Sequence, residues 1–380
     1  MNSLSLIFSN LRYLAPAVVF ATINVLFGTW AIYIPAVKEK LKIDEGDLGI
    51  AIFFMALGTL TMLILAPKII KKLKVGKATG YGVFGLIFVF PLLFMVSSYY
   101  WLCGAMFLVG VFSGFTDIAM NTLVTEIEKE DKVHIMSANH GFFSLGGMLS
   151  AGIGTFFLPY VSVPLFHVLV VAIIMILLNG FLLKQYYRVT SKEIEEVSFN
   201  IRYFIPLLGL ILIGFCVMAA EGAIVDWSAL YLEKVSKAKV SWTGFGYTAF
   251  SATMAFGRFL GDAISAKLGS KRIITLGTLL GGLGFALVLL VDPLITIIGF
   301  GLVGLGFSVI VPELFRIGGK TKNVESSQGI SIIAGSGFVG FLVGPVLLGF
   351  LADISSLKLS FIALLIFSVV SFGTSLFIKK

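Results

Sequence analysis

The chain has 380 residues, of which 58% are hydrophobic and 13% charged, with a formal net charge of +8 and a mean hydropathy of +1.03. A soluble domain carries about 25% charged residues, so half that proportion leaves too little polar surface to dissolve the chain. The two cysteines, Cys103 and Cys216, both fall in apolar segments, which argues against a disulfide framework.

Apolar residues run along the whole length in stretches of about 20, the length of a helix that crosses a bilayer. The pattern predicts an all-α membrane protein with spans at 12–36, 47–67, 76–97, 100–124, 135–158, 162–184, 201–232, 240–266, 271–291, 293–316, 327–351 and 356–378. The period-2 alternation of a membrane barrel is absent, and Ile205–Gly214 and Leu294–Gly306 are apolar on nearly every face. The first span is too long for a signal-peptide core and is read as retained.

In span 1, Thr22, Thr29 and Tyr33 share a stripe flanked by Trp30, while Asn24 points to the opposite side. Aromatic faces with a few polar tips suit sugar-like or nucleoside-like solutes. The alternative is an interfacial aromatic belt, which fits Tyr33 better than Trp30. The loop after span 2 carries Lys68, Lys71, Lys72, Lys74 and Lys77. Such a cluster can meet acidic lipid heads, but the general excess of Lys and Arg on the cytoplasmic side accounts for it more simply. The same excess in the other even-numbered loops places both termini in the cytoplasm, so the positive charge reports topology and calls for no nucleic-acid partner.

Ionisable groups at the bilayer centre cost at least about 2.5–3.5 kcal/mol, so each asks for a reason. Asp117 and Asn121 of span 4 are i, i+4 and share a face, with no cation in reach on their own helix. That pattern suits proton exchange or, alternatively, a packing hydrogen bond. Span 5 places Ser137, His140 and Ser144 on one face beside Asn139, which suits a gate or proton relay as well as a structural histidine.

The one sizeable polar stretch, Tyr186–Asn200, divides the chain near its midpoint into 1–185 and 201–380. The two parts echo each other at an offset of about 195 residues: Gly28-Thr-Trp30-Ala-Ile-Tyr33 with Val225-Asp-Trp227-Ser-Ala-Leu230, and Leu108-Val-Gly110 with Leu302-Val-Gly304. Spans 5 and 11 both open on glycine-rich runs, which let helices approach closely in lipid. Two six-helix halves rocking around a midplane site is a transporter architecture.

Span 7 holds Glu221 and Asp226, roughly 140° apart around the helix. Glu221 is expected to look into the cavity; Asp226, beside Trp227, is expected to be a gate or a cap. The end of span 8 reads Gly257-Arg258-Phe-Leu-Gly261-Asp262-Ala-Ile-Ser-Ala-Lys267-Leu-Gly269-Ser-Lys271-Arg272. Asp262 can meet Arg258 one turn earlier, and Gly269 permits a tight turn. Glu313 and Arg316 in span 10 are i, i+3 and suit a structural or gating pair.

The span 8–9 loop resembles the cytoplasmic signature of the major facilitator superfamily: a glycine-rich helix end, one acid, then glycine and a basic cluster. The matching loop of the first half, Pro67 to Lys77, keeps the basic cluster and lacks the acid. Gly28 to Lys38, Asp117 to Asn121, Asn139 to Gly147 and Glu221 to Tyr231 are similar to the YbjJ-type facilitators near fucose permease, with Tyr33 where a basic residue is expected. The resemblance spans nearly the whole chain. It implies twelve helices in two pseudo-symmetric bundles and proton-coupled movement of a small polar solute. In fucose permease an acid in the helix that holds Asp117 serves proton coupling. Span 5 lacks the Gly-Pro signature of drug antiporters, and Gly344-Pro345 lies in span 11 instead, which favours uptake over efflux.

No nucleotide-binding Gly-Lys-Ser/Thr loop, metal-ligand spacing or nucleophile–base–acid arrangement occurs, so no cofactor, metal or enzymatic role is expected. The reading is a monomeric symporter of a prokaryotic plasma (inner) membrane, embedded among membrane lipids. Asp117, Asn121, Glu221, Asp226, Trp30, Asn24 and Tyr33 are its proton or solute residues, and Asn139, His140, Arg258, Asp262, Glu313 and Arg316 its gates. A proton antiporter exporting a metabolite or drug is the alternative; a sensor on the same scaffold would have no soluble domain through which to signal.

Overall fold

In lipid each backbone amide must find its partner within its own segment, which leaves helices as the solution for a chain this apolar. The computed structural model describes residues 3–133, 135–190, 201–322, 324 and 326–378, with the backbone alone at Ser137, Asp262 and a few other helical positions. Among the described residues, eleven helices are long and apolar enough to cross a membrane. The 24-residue helix Phe245–Leu268 completes the twelve expected spans.

The chain divides into two units, Met1–Ile194 and Glu195–Lys380. The first contains α1 (Ser3–Ser9), α2 (Leu11–Leu41), α3 (Glu45–Leu73), α4 (Val75–Val89), α5 (Tyr99–Asp131), α6 (Met136–Phe157) and α7 (Pro164–Leu182). Asn10, Asp44 and Ser98 start α2, α3 and α5 by accepting backbone N–H bonds from Arg12, Asp47 and Trp101. Within this unit α2 packs on α6 and α7, and α3 and α4 pack on α5. The packing depends on close approach. A Cβ at Gly110 would overlap the Met55 carbonyl, and one at Gly146 the Ala21 carbonyl. Helix α2 is central, with 78% of its apolar window buried, whereas α7 is peripheral, with 22%.

The second unit contains α8 (Phe204–Lys234), α9 (Phe245–Leu268), α10 (Ser270–Val288), α11 (Pro293–Phe307), α12 (Ile310–Gly318), α13 (Ser326–Ile354) and α14 (Leu357–Leu376). Here α8 packs on α13 and α14, and α9 and α10 pack on α11. Gly304 and Gly340 play the parts of Gly110 and Gly146, lying against the Phe250 and Phe215 carbonyls. The packing register thus makes Gly28 the equivalent of Gly222, both pressed on the helix opposite. Trp30 and Trp227, paired in the sequence reading, sit one turn out of step.

Two links show the repeat at the level of dihedral angles. A single residue, Lys74 with φ 72° and ψ 145°, joins α3 to α4. A single residue, Gly269 with φ 75° and ψ 154°, joins α9 to α10. Lys74 N–H donates to the Ile70 carbonyl at 2.8 Å and Gly269 N–H to the Ser265 carbonyl at 3.0 Å. The first-half link is further tied to the stretch after α7. Gly76 N–H donates to the Val189 carbonyl at 3.1 Å, Lys77 lies over the Tyr187 ring at 5.5 Å, and Tyr186 is fully buried. Burial pushes the Tyr186 phenol above its ordinary range.

Several helices outrun their expected spans. α2 continues to Leu41, α3 past Pro67 to Leu73, and α5 to Asp131. Hydropathy marks the hydrocarbon core, while Lys, Glu and Leu favour helix beyond it. Span 10 is interrupted between Phe307 and Ile310. Pro312 cannot donate to the Ser308 carbonyl four residues earlier, and its ring excludes that carbonyl from helical geometry.

Candidate functional site

The central ion pair of the second unit joins α8 to α9. Arg258 Nη2 lies 3.6 Å from Glu221 Oε2, with side chains 17% and 12% exposed. Glu221 Oε1 is buried with no hydrogen-bond partner. Charge-assisted hydrogen bonds run about 2.7–2.9 Å, so this pair is held by charge without a close bond. Sequence reasoning placed Arg258 with Asp262, one turn away, and assigned Glu221 to a separate role. The structure brings Glu221 and Arg258 together, and the side chain of Asp262 lies outside the described residues. Asp226, five residues past Glu221, is 3% exposed. Its neighbour Trp227 is fully buried and donates its indole N–H to the Pro345 carbonyl at 3.0 Å.

In the first unit Asp117 is half-buried at the middle of α5. Its carboxylate accepts from Asn121 Nδ2 at 3.3 Å, and the same amide donates to the Asp117 carbonyl at 2.8 Å. Among the described residues no basic side chain pairs with it. The two residues read together from their spacing are therefore together in space.

The polar residues of α2 are packed on both sides. Thr22, Asn24 and Thr29 are all buried; Thr22 Oγ1 accepts from Asn179 Nδ2 at 2.8 Å, and Asn24 Nδ2 donates to the Phe143 carbonyl at 2.9 Å. Trp30 is buried with its ring edge-on to Phe94. Tyr33 is also buried, and its hydroxyl meets His167 Nδ1 at 2.9 Å. His167, on α7 and 134 residues away, was not anticipated; a lone histidine in an apolar run was its only signal.

At the start of α6, Asn139 Nδ2 donates to the Ile135 carbonyl at 2.7 Å while its buried Oδ1 has no partner. The His140 ring packs edge-on to Phe20 at 5.1 Å. In α12, Arg316 Nη1 lies 2.9 Å from Glu313 Oε1, as the i, i+3 spacing implied. The same guanidinium also bonds the Ser265 hydroxyl of α9, a partner the sequence did not indicate. Among the described residues no group of His, Cys, Asp and Glu could hold a metal ion.

The arrangement offers two half-buried acid sites, one beside a cation and one beside an amide, in separate helical units. Comparison with known proteins shows the family and the fold. An uncharacterized MFS-type transporter of Yersinia pestis is 29% identical over 345 residues, covering 90% of this chain and 89% of that one. Membrane protein MosC of Rhizobium meliloti is 27% identical over 368 residues, covering 94% and 88%. Among solved structures the nucleoside transporter NupG superimposes with a TM-score of 0.76 at 15% identity, covering 97% of this chain and all of that one. A bacterial homolog of the human lysosomal transporter Spinster, inward-facing, gives 0.72 at 13% identity and 96% coverage of each. At such identities these two likenesses show a shared fold. The family model described as Major Facilitator Superfamily matches residues 17–321 and 243–380, and the chain belongs to that family of multi-pass membrane transporters.

Proposed function

We propose that the protein is a secondary active transporter that carries a small polar solute, sugar-like or another metabolite, in symport with protons. Asp117 supports this reading most directly. It is an acid at the middle of a membrane-spanning helix whose partner is the neutral amide of Asn121. An ionised carboxylate there costs several kcal/mol, a cost removed when it takes up a proton. Glu221 and Arg258 supply the second polar site, and Trp30, Asn24, Tyr33 and Asp226 shape the surroundings. Asn139 and His140 serve as gating residues, as do Arg258, Asp262, Glu313 and Arg316. Residues 186–200 link two six-helix halves, 1–185 and 201–380, with both termini on the cytoplasmic side of a prokaryotic inner membrane.

The test begins with a thermal-shift screen of the purified protein against sugars, polyols, nucleosides and organic acids, since a bound ligand stabilises by mass action. Proteoliposomes are then loaded so that an inward proton gradient drives accumulation of the stabilising solute. Asp117→Asn is expected to abolish accumulation while leaving solute exchange across the membrane intact. Unchanged accumulation removes the coupling role from Asp117, and expulsion of the solute by the same gradient identifies an antiporter.

A further inference from the structure

The basic cluster between Lys68 and Lys77 is larger in the folded unit than in the sequence. The link between α3 and α4 lies against the stretch after α7. Gly76 N–H reaches the Val189 carbonyl, Lys77 lies over the Tyr187 ring, and a Cβ at Gly80 would touch Leu183. That packing adds Lys184 and Arg188, about 110 residues away in the chain, to the five lysines. All seven cations except the half-buried Lys77 are exposed. Among the described residues none of the seven forms an ion pair. The acids at the same end of α5 are engaged elsewhere. Glu126 pairs with Lys129, Glu130 and Asp131 pair with Arg12, and Glu128 accepts the Ile135 and Met136 N–H groups. The linker that follows carries Lys192, Glu193, Glu195 and Glu196, so setting all four against the cluster still leaves an excess of five positive charges.

Within two turns of these cations the same helices turn apolar side chains outward. Leu63, Ile64 and Leu65 precede Lys68 on α3, and Leu177, Leu178 and Phe181 precede Lys184 at the end of α7; all six are exposed. A count of cations on one side of a membrane reports topology. Cations gathered from two distant segments, each beside exposed hydrocarbon, form a surface with the two parts of a phospholipid in complement. We propose that this end of the first unit is a docking surface for an anionic phospholipid, whose headgroup meets the lysines of the α3–α4 link together with Lys184 and Arg188 while its acyl chains run along the outward face of α7. The guanidinium of Arg188 can hold two phosphate oxygens in parallel bonds, and the lysines act as point charges. A zwitterionic lipid offers the same phosphate but carries its own cation, which the excess positive charge repels. A free phosphate has the charge without the hydrocarbon. The inference does not depend on the proton-symport reading.

The test uses the purified full chain in neutral detergent micelles, with dioleoyl phosphatidylglycerol and dioleoyl phosphatidylcholine titrated separately and bound lipid counted by native mass spectrometry. Phosphatidylglycerol is expected to bind at least about tenfold more tightly, since each Lys or Arg near an anionic surface is worth about fivefold. The triple variant Lys72→Gln/Lys184→Gln/Arg188→Gln is expected to erase that preference. Lys234→Gln/Lys237→Gln/Lys239→Gln removes the same charge from exposed positions of the second unit and is expected to keep it. All six side chains are exposed, so both variants are expected to melt like the wild type in lipid-free micelles. Thermal melting with each lipid reads the same preference a second way, through stabilisation by the bound species. The proposal is overturned if the two lipids bind alike, or if the two triple variants lose the preference to the same extent. It is also overturned if inorganic phosphate at the same concentration stabilises the protein as well as phosphatidylglycerol does, which assigns the surface to a soluble anion.

Discussion

Lys74 occupies a backbone conformation that its pseudo-equivalent, Gly269, adopts without a side chain. At φ 72° and ψ 145° the Lys74 Cβ is crowded by its own backbone, a state that costs about 1–3 kcal/mol for a residue other than glycine. Lys74→Gly removes that strain and adds about 0.4–1 kcal/mol of unfolded-state entropy. The Lys74 side chain is exposed, so loss of its charge contributes little. The net expectation is a gain of about 1 kcal/mol. The reciprocal Gly269→Ala meets no neighbouring atom within 4 Å, so its loss of about 1–2 kcal/mol is backbone strain alone. Equilibrium unfolding in mixed micelles with rising SDS measures both, and Lys74→Ala controls for the charge because it keeps the Cβ. A Lys74→Gly protein less stable than Lys74→Ala, or a neutral Gly269→Ala, would refute the strain argument.

Two further outcomes are open to the same assay. Arg258→Gln alone leaves Glu221 buried without its cation and is expected to destabilise by about 3 kcal/mol, whereas the double variant Glu221→Gln/Arg258→Gln is expected to recover most of it; a strictly additive double variant would show that the two groups do not interact. Gly110→Ala pushes a methyl into the Met55 carbonyl and is expected to cost more than 2 kcal/mol, while Gly104→Ala, with open space around it, is expected to stabilise by about 0.5–1 kcal/mol through helix propensity.

Much of the architecture was legible from hydropathy and small residues, because lipid forces helices and close helix packing forces glycine. The Leu-Val-Gly pair at 110 and 304 marked equivalent contacts on α3 and α9. The tryptophan pair misled, since Trp30 and Trp227 look alike in sequence yet the packed faces are set by Gly28 and Gly222. Within one helix, spacing was a sound guide: Asp117 with Asn121 and Glu313 with Arg316 lie together as i, i+4 and i, i+3 imply. Between helices it offered nothing. Glu221 with Arg258, Tyr33 with His167 and Arg316 with Ser265 depend on how each helix is rotated against its neighbour. That rotation is decided by many weak contacts summed along whole interfaces. The break in span 10 was present as Pro312 but hidden by the continuous apolar run on either side.

That break has a mechanical consequence. A continuous helix ties every turn to the next, whereas α11 and α12 meet at Ser308 and Val309, where Pro312 leaves the Ser308 carbonyl outside the helical ladder. Beyond the break, α12 is fastened sideways to α9 through Arg316 and Ser265. The two segments of the span are therefore anchored to α9 at different places, α11 through Gly304 against the Phe250 carbonyl and α12 through Arg316.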